Sequence, residues 1–389
     1  MPGQHAILSP SKAKQFLACP PSARLNAKLS ERFGDRPSPY AEEGTKAHTL
    51  AELKLRLELG EINKFSFNAQ KKALGDIPAD MDRYTDMYFD IVIEKYYMAK
   101  KVCPDARLFV EQRMDISPWI PQSFGTGDAV IVSDKLLEIC DLKYGKGVPV
   151  SAVENPQARC YGLGAINEFG ALYDFQLVRN TIIQPRLDSV TEETMSREEL
   201  LAWGEEIRPL AEQAWRGEGE FHSGDHCKFC NARAICKARA IESLDLFKFG
   251  FDTPGVLPDD AIPGILRVAD TAEQWIKDVR AYALNQALSG MKWPGYKLVR
   301  GKRGARSFRS DEEAEQQLIR AGYTSDQYKL TRMKSVAEIE SLLGKRAFDA
   351  LLSDQVVQAE GNLTLVPEED KRVEYSSADA AFADMTDMT

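Results

Sequence analysis

Apolar positions recur at helical spacing through the first hundred residues. Pro10 opens a stretch anchored by Phe16, Leu17 and Leu25, and the spacing predicts a helix over 10–33. Ala47, Leu50, Ala51, Leu53, Leu55 and Leu57 lie among charges and predict a second helix over 40–60, ended by Gly60. Residues 80–102 predict a third. From residue 107 the texture changes. RLFVEQR (107–113), GDAVIVS (127–133) and LLEICDLK (136–143) are short, apolar and β-branched, and read as strands. Residues 155–169 predict a helix, 171–185 a strand and 196–216 a helix. Helices, then a strand meander, then helix alternating with strand predict an α/β core with helical additions. Gly250, Pro254, Gly255, Pro258 and Pro263 mark a boundary over 243–262, before an amphipathic helix over 259–290. Further helices are expected over 310–320 and 334–352. The division is a core over 1–242, a helical linker region over 243–290 and a smaller C-terminal α+β region over 291–373. The tail over 374–389 has no basic residue and is expected to be disordered.

With 43% hydrophobic and 28% charged residues, the chain has the mix of a soluble protein able to bury a large core. The net charge of −9 excludes a uniformly basic DNA coat but leaves room for a local basic groove. The first thirty residues lack the apolar core of a signal peptide, and no run approaches the ~18 apolar residues of a membrane helix. A cytoplasmic protein with no membrane partner is expected. Its seven cysteines should then be free thiols or metal ligands rather than a disulfide framework.

The segment GDAVIVSDKLLEICDLK carries the first candidate chemistry. A hairpin centred between Asp134 and Lys135 places Asp128 opposite Asp141, with Cβ atoms about 4.5–5.5 Å apart. Two bare carboxylates that close repel each other, and a divalent cation between them removes the penalty. Lys143 projects from the same strand face as Asp141, whereas Glu138 and Cys140 point the other way. Asp-Lys is a poor pair for a type I′ turn. Hard oxygen ligands suit Mg²⁺ or Mn²⁺. Two acids and a lysine suit metal-dependent phosphodiester hydrolysis, in which the cation acidifies a bound water and the lysine orients it or stabilises developing charge. An ordinary Asp–Lys ion pair on a surface hairpin has the same local sequence. Two neighbours add weight: His48 and Glu52 share one helical face in EEGTKAHTLAE, and Gln157 and Tyr161 share another in NPQARCYGLGA.

The ordered set Gly-x-x-x-His, Gly-x-x-Asp, Asp-x-Lys, Gln-x-x-x-Tyr resembles the PD-(D/E)XK nuclease superfamily, in its RecB-like branch. The resemblance implies a restriction-endonuclease-like core, a central mixed sheet flanked by helices. It implies metal binding by His48, Asp128 and Asp141, with the Leu142 carbonyl as a further ligand, and Lys143 as the catalytic lysine. It also implies that Gln157 and Tyr161 close the site against the DNA strand, with Glu111 as a supporting acid on the preceding strand.

CKFCNARAIC places Cys227, Cys230 and Cys236 in a C-x2-C-x5-C cluster that needs a fourth ligand. Cys19 is the candidate for an iron–sulfur or zinc Cys₄ site; His222 or His226 would serve a Cys₃His zinc site. Spacing leaves the two metals open. RecB-like nucleases of the AddB type, and the related CRISPR-adaptation nucleases, carry one cysteine before the core and three after it. That resemblance implies a 4Fe–4S cluster on Cys19, Cys227, Cys230 and Cys236, stapling both ends of the core across a long loop. Cys103, Cys140 and Cys160 have no partner spacing and read as core thiols.

KWPGYKLVRGKRGARSFR (292–309) has seven basic and no acidic residues, interleaved with Trp293, Tyr296 and Phe308. Lys297, Arg300, Lys302, Arg303, Arg306 and Arg309 are candidate phosphate contacts, and the aromatics candidate stacking partners for single-stranded or frayed DNA. The bland reading is a solvated hairpin. The chain from about residue 5 to 373 also resembles a family carried by phages and prophages, through DLKYGKGVPV, NPQARCYGLGA, IIQPR, PGYKLV and SVAEIESLLGKRAFDALL. Together these resemblances imply a metal-dependent deoxyribonuclease acting on DNA ends in phage recombination, repair or replication. Its partners would be a helicase, a single-strand-binding protein or an annealing protein. Two alternatives are a DNA-binding module with little catalysis and a zinc-stapled structural partner of a replication complex.

Overall fold

Pro20 and Pro21 divide the first helical stretch, because a residue before proline is driven out of the helical region. A 3₁₀ turn at Pro10–Lys12 leads into α1 (Ala13–Ala18). Cys19 is extended (φ −145°, ψ 80°), and α2 (Ser22–Phe33) follows. The single helix expected over 10–33 is therefore two, with Cys19 in the break. The computed structural model describes residues 6–33, 39–244 and 259–297, with a few isolated positions beyond.

Next come α3 (Pro39–Glu58), ended by Gly60 in the left-handed region (φ 72°), then α4 (Lys64–Ala73) and α5 (Ala79–Val102). Helix α4 buries no residue, so it has no apolar stripe to read; its signal is the Asn63 side chain capping Ser66 N–H. The sheet elements are β1 (Arg107–Asp115), β2 (Phe124–Val132), β3 (Leu136–Leu142), β4 (Leu177–Gln184) and β5 (Ser189–Ser196), with α6 (Pro156–Phe169) between β3 and β4. They form one sheet in the order β1-β2-β3-β4-β5, antiparallel except for the parallel β3–β4 pair. After β5 come α7 (Arg197–Arg216), α8 (Lys237–Leu244) and α9 (Ile262–Leu288). The expected α/β class holds. The strand expected from 171 starts at Leu177, because the residues after α6 turn, and Leu172 is exposed. The unforeseen strand β5 is a polar edge whose residues alternate between half-buried and exposed.

The sheet is covered on both faces. Phe16, Met114, Val130, Ile139, Leu163, Val178 and Leu200 pack on the side of α1, α6 and α7. Leu55, Tyr88, Val92, Leu108, Ala129, Ile131, Cys140 and Leu142 pack on the side of α3 and α5. Glycine lets α6 lie close to the sheet: a Cβ on Gly164 would stand 2.9 Å from Met114 Cβ. On the α5 side Glu138 is buried and accepts from Lys95 Nζ (2.6 Å) and Thr181 Oγ1 (2.9 Å), so it faces away from the acids of the hairpin. Lys95→Met leaves that buried carboxylate only the Arg179 guanidinium, 4.0 Å away, as a counter-charge. It is expected to cost about 3 kcal/mol in urea melts, most of which Lys95→Met/Glu138→Gln should recover.

Residues Met1–Gly290 form one compact unit and Met291–Thr389 a second. The linker helix expected within 243–290 therefore belongs to the first unit. Asp278 on α9 accepts from Arg233 Nε (3.2 Å) and from Arg239 Nη1 (2.6 Å), and Arg239 is buried. The helices expected over 310–320 and 334–352, the α+β region and the acidic tail lie outside the described residues, apart from 291–297 and isolated positions. Among the described residues no helix is long and apolar enough to cross a membrane.

Candidate functional site

The β2–β3 register pairs Ala129 with Cys140, Val130 with Ile139 and Val132 with Leu137, which carries Asp128 to the position facing Asp141. Ser133, Asp134 and Lys135 connect the strands, and neither Asp134 nor Lys135 at the tip takes a positive φ, so it is not a type I′ turn. The Ser133 hydroxyl holds it instead, donating to Leu136 O (2.9 Å) and accepting Leu136 N–H (3.2 Å). On the other side of β2, the pairs Val110–Ala129 and Gln112–Gly127 put Glu111 at the position facing Asp128. Three acids thus form a row across three strands. Glu111 sits at φ 51°, a left-handed conformation costing a non-glycine residue about 1–2 kcal/mol, strain of the kind that collects at functional sites. There the ribbon changes face. Val110 and Ala129 pack toward α3 and α5, while Met114 lies under α6 and 2.8 Å from where a Gly127 Cβ would be.

His48 reaches the row from α3. Its Nδ1 lies 3.2 Å from Asp128 Oδ1, while Asp128 Oδ2 accepts the Leu142 N–H at 2.7 Å. Donor atoms of His48, Glu111 and Asp128 all lie within 4.8 Å of one another. Asp141 stands outside that trio. Lys143 Nζ is 2.7 Å from Asp141 Oδ2, an ion pair without hydrogen-bond alignment, so this buried oxygen has no aligned donor.

Burial alone would lower the His48 pKa, but the Asp128 charge and hydrogen bond outweigh it and hold it at about 9, so the imidazole is protonated at neutral pH. Burial opposes ionisation of Asp128, yet His48 and the Leu142 N–H keep its pKa below the usual value. Burial raises Asp141, and the Asp128 charge adds to the rise against the pull of Lys143. Burial, then the charges of Asp128 and Glu52, push Glu111 to about 7. The row is short of positive charge, and an arriving cation would relieve it.

On α6, Asn155 caps the helix, and Gln157 Nε2 donates to Tyr161 Oη at 3.2 Å. A Cβ on Gly125 would stand 2.8 Å from Tyr161 Cε1, so glycine there admits the ring against β2. Burial raises the Tyr161 pKa, and the charges of Asp141 and Asp128 add to the rise. Glu52, one turn after His48, is held by Arg56 Nε at 2.8 Å. A residue the motifs missed is Gln184, in the IIQPR segment. Its amide donates to Gly145 O and Val148 O and accepts Val150 N–H, fixing the loop that follows Lys143. Of the basic candidates, Lys297 is exposed; Arg300, Lys302, Arg303, Arg306 and Arg309 lie outside the described residues.

Converging carboxylates, one with a buried oxygen that has no aligned donor, are hard ligands that fit Mg²⁺ or Mn²⁺, and the His48 imidazole adds a borderline nitrogen donor beside them. The cysteines converge as well. Burial raises the Cys230 thiol, a backbone N–H opposes this, and neighbouring Cys227, Cys236 and Cys19 add to the rise. Cys19 and Cys227 are instead held down, against burial, by hydrogen bonds with His226, whose own pKa rises to about 10 between them. His226 Nε2 also lies 3.0 Å from the His222 carbonyl oxygen. Asn26 on α2 accepts from Asn231 N–H at 2.7 Å and fastens the cysteine loop to the segment after Cys19. Four thiols from both ends of the first unit fit a Cys₄ centre.

A solved structure described as "Crystal structure of SSO0001" is 17% identical, over 58% of this chain and 96% of that one, with a TM-score of 0.24. Residues 5–373 match the family described as "Protein of unknown function (DUF2800)", and the chain belongs to that family.

Proposed function

We propose that the protein is a divalent-metal-dependent deoxyribonuclease of the RecB-like PD-(D/E)XK type, acting on DNA ends or single strands in phage recombination, repair or replication. The observation that carries this reading is the row Glu111–Asp128–Asp141, flanked by His48 and by the Lys143–Asp141 pair. His48, Glu111 and Asp128 would hold the cation, with Asp141 and the Leu142 carbonyl completing its shell. When bound, the ion supplies an acidified water and neutralises charge on the scissile phosphate. The chain's own groups do the rest. Lys143 holds a proton above its ordinary pKa, although burial opposes this, because Asp141 pairs with it. It therefore meets developing negative charge as a full cation. Tyr161 and Gln157 wall the site on the α6 side, and the Leu142 N–H keeps Asp128 aimed into it.

The four cysteines would hold a 4Fe–4S cluster, with a Cys₄ zinc ion as the alternative. One cysteine before the core and three after it, in the order carried by the iron–sulfur nucleases that the chain resembles, supports the cluster over zinc.

The test is digestion by the purified full chain, with Mn²⁺, of labelled linear, nicked, circular and single-stranded DNA. Cutting that needs both Mn²⁺ and a DNA end is expected. Tight binding with no cutting of any substrate would instead make the protein a DNA-binding module.

A further inference from the structure

At the far end of the β1–β2 ribbon lies an open pocket of about 620 Å³, lined in part by Arg113, Asp115, Ser117, Gln122, Phe124 and Glu168. Phe124 is four residues along β2 from Asp128, ~13 Å. Glu168 is on α6, the helix that also carries Tyr161. The pocket and the candidate site therefore draw their residues from the same strands β1 and β2 and the same helix α6.

Its chemistry is unlike that of the acid row. The Arg113 guanidinium sits over Phe124, with Cζ 4.0 Å from the ring centroid, which joins a cation to an aromatic face. Asp115 is already held by the N–H and hydroxyl of Ser117. Among the described residues the side chains of Gln122 and Glu168 have no hydrogen-bond or ion-pair partner. Gln122 is held at φ 52°, a strained conformation for a non-glycine residue, in the turn two residues before the strand that Phe124 opens. Two carboxylates repel a phosphate, but they accept from the exocyclic amino groups of bases, and an amide matches base edges in either direction. A cation–aromatic pair with neutral and acidic edge groups suits a base rather than a backbone.

We infer that this pocket binds an unstacked base of a single-stranded DNA segment whose backbone runs on to the acid row, with Arg113 and Phe124 stacking on it and Gln122 and Glu168 meeting its edge. The inference deepens the nuclease reading and rests on it for the direction of the strand, but base binding is measurable without cutting.

The experiment uses the full-length protein in EDTA and follows the fluorescence anisotropy of a short labelled single strand and of the same strand in a duplex. Arg113→Ala and Phe124→Ala are each expected to weaken single-strand binding about tenfold or more, the worth of one stacked base. Phe124→Tyr, which keeps the ring, should bind as the parent does. Arg113 is exposed, so its variant remains decisive should loss of Phe124 disturb folding. Unchanged single-strand affinity in Arg113→Ala would overturn the assignment, as would a parent protein that ignores single strands. Mn²⁺ digestion by the parent, run in parallel, reports on the acid row separately: lost binding in the variants supports the pocket whether or not the parent cuts.

Discussion

Asp141→Asn and Lys143→Ala are each expected to lower Mn²⁺-dependent DNA cutting by roughly 10³-fold, with DNA affinity in EDTA kept. The pair is a closer contact of opposite charges than His48–Asp128: a buried carboxylate oxygen 2.7 Å from a largely buried ammonium, with no aligned donor of its own. Asparagine keeps the size of Asp141 but removes its charge, so Lys143 loses its counter-ion and the cation loses a ligand. Alanine at 143 leaves Asp141 beside Asp128 with only His48, already paired to Asp128, to offset their repulsion, which raises the Asp141 pKa further and opposes its ionisation. The two variants should differ in one respect. Added Mn²⁺ should raise the melting temperature of Lys143→Ala, whose acids remain, by more than that of Asp141→Asn. Cutting that survives both substitutions removes the pair from the mechanism.

Cys230→Ser is expected to yield a colourless protein after anaerobic purification and to lower the melting temperature by on the order of 10 °C. Cys230 is buried and feels all three of its companions, so its loss breaks the centre rather than loosening one edge. Binding a group that joins the α1–α2 break to the segment after α7 is folding free energy, because the unfolded chain has no such site. The parent should be brown, with broad absorption near ~400 nm. A colourless parent carrying zinc would replace the iron–sulfur assignment, and an unchanged melting temperature in Cys230→Ser would remove the staple.

The hairpin was legible because the register follows from the hydrophobic alternation of β2 and β3 once the turn is placed; Asp128 and Asp141 face each other as that reading requires. The turn chemistry was not legible, since the Ser133 hydroxyl does what a type I′ pair would otherwise do. Glu111 shows another limit. Its place opposite Asp128 comes from the β1 register, which no turn signal near it specifies, and its left-handed φ reverses the alternation that a strand pattern assumes. Edge strand β5 and helix α4 escaped because neither buries a continuous apolar face. The apolar spacing runs a helix through Cys19, whereas Pro20 and Pro21 hold it in the break between α1 and α2. Gln184 could not have been assigned, because its three hydrogen bonds go to backbone atoms of a loop some forty residues earlier, and no pattern encodes such a reach.

The lock formed by Asp278 with Arg233 and Arg239 bears on how the chain can be dissected. A fragment stopping at residue 242, where the apolar pattern first fades, would discard Asp278 and leave the buried Arg239 without its counter-charge, beside the cysteine loop. A fragment running through Gly290 retains the lock. The smallest autonomous piece therefore ends after α9, and limited proteolysis should spare that helix together with the sheet.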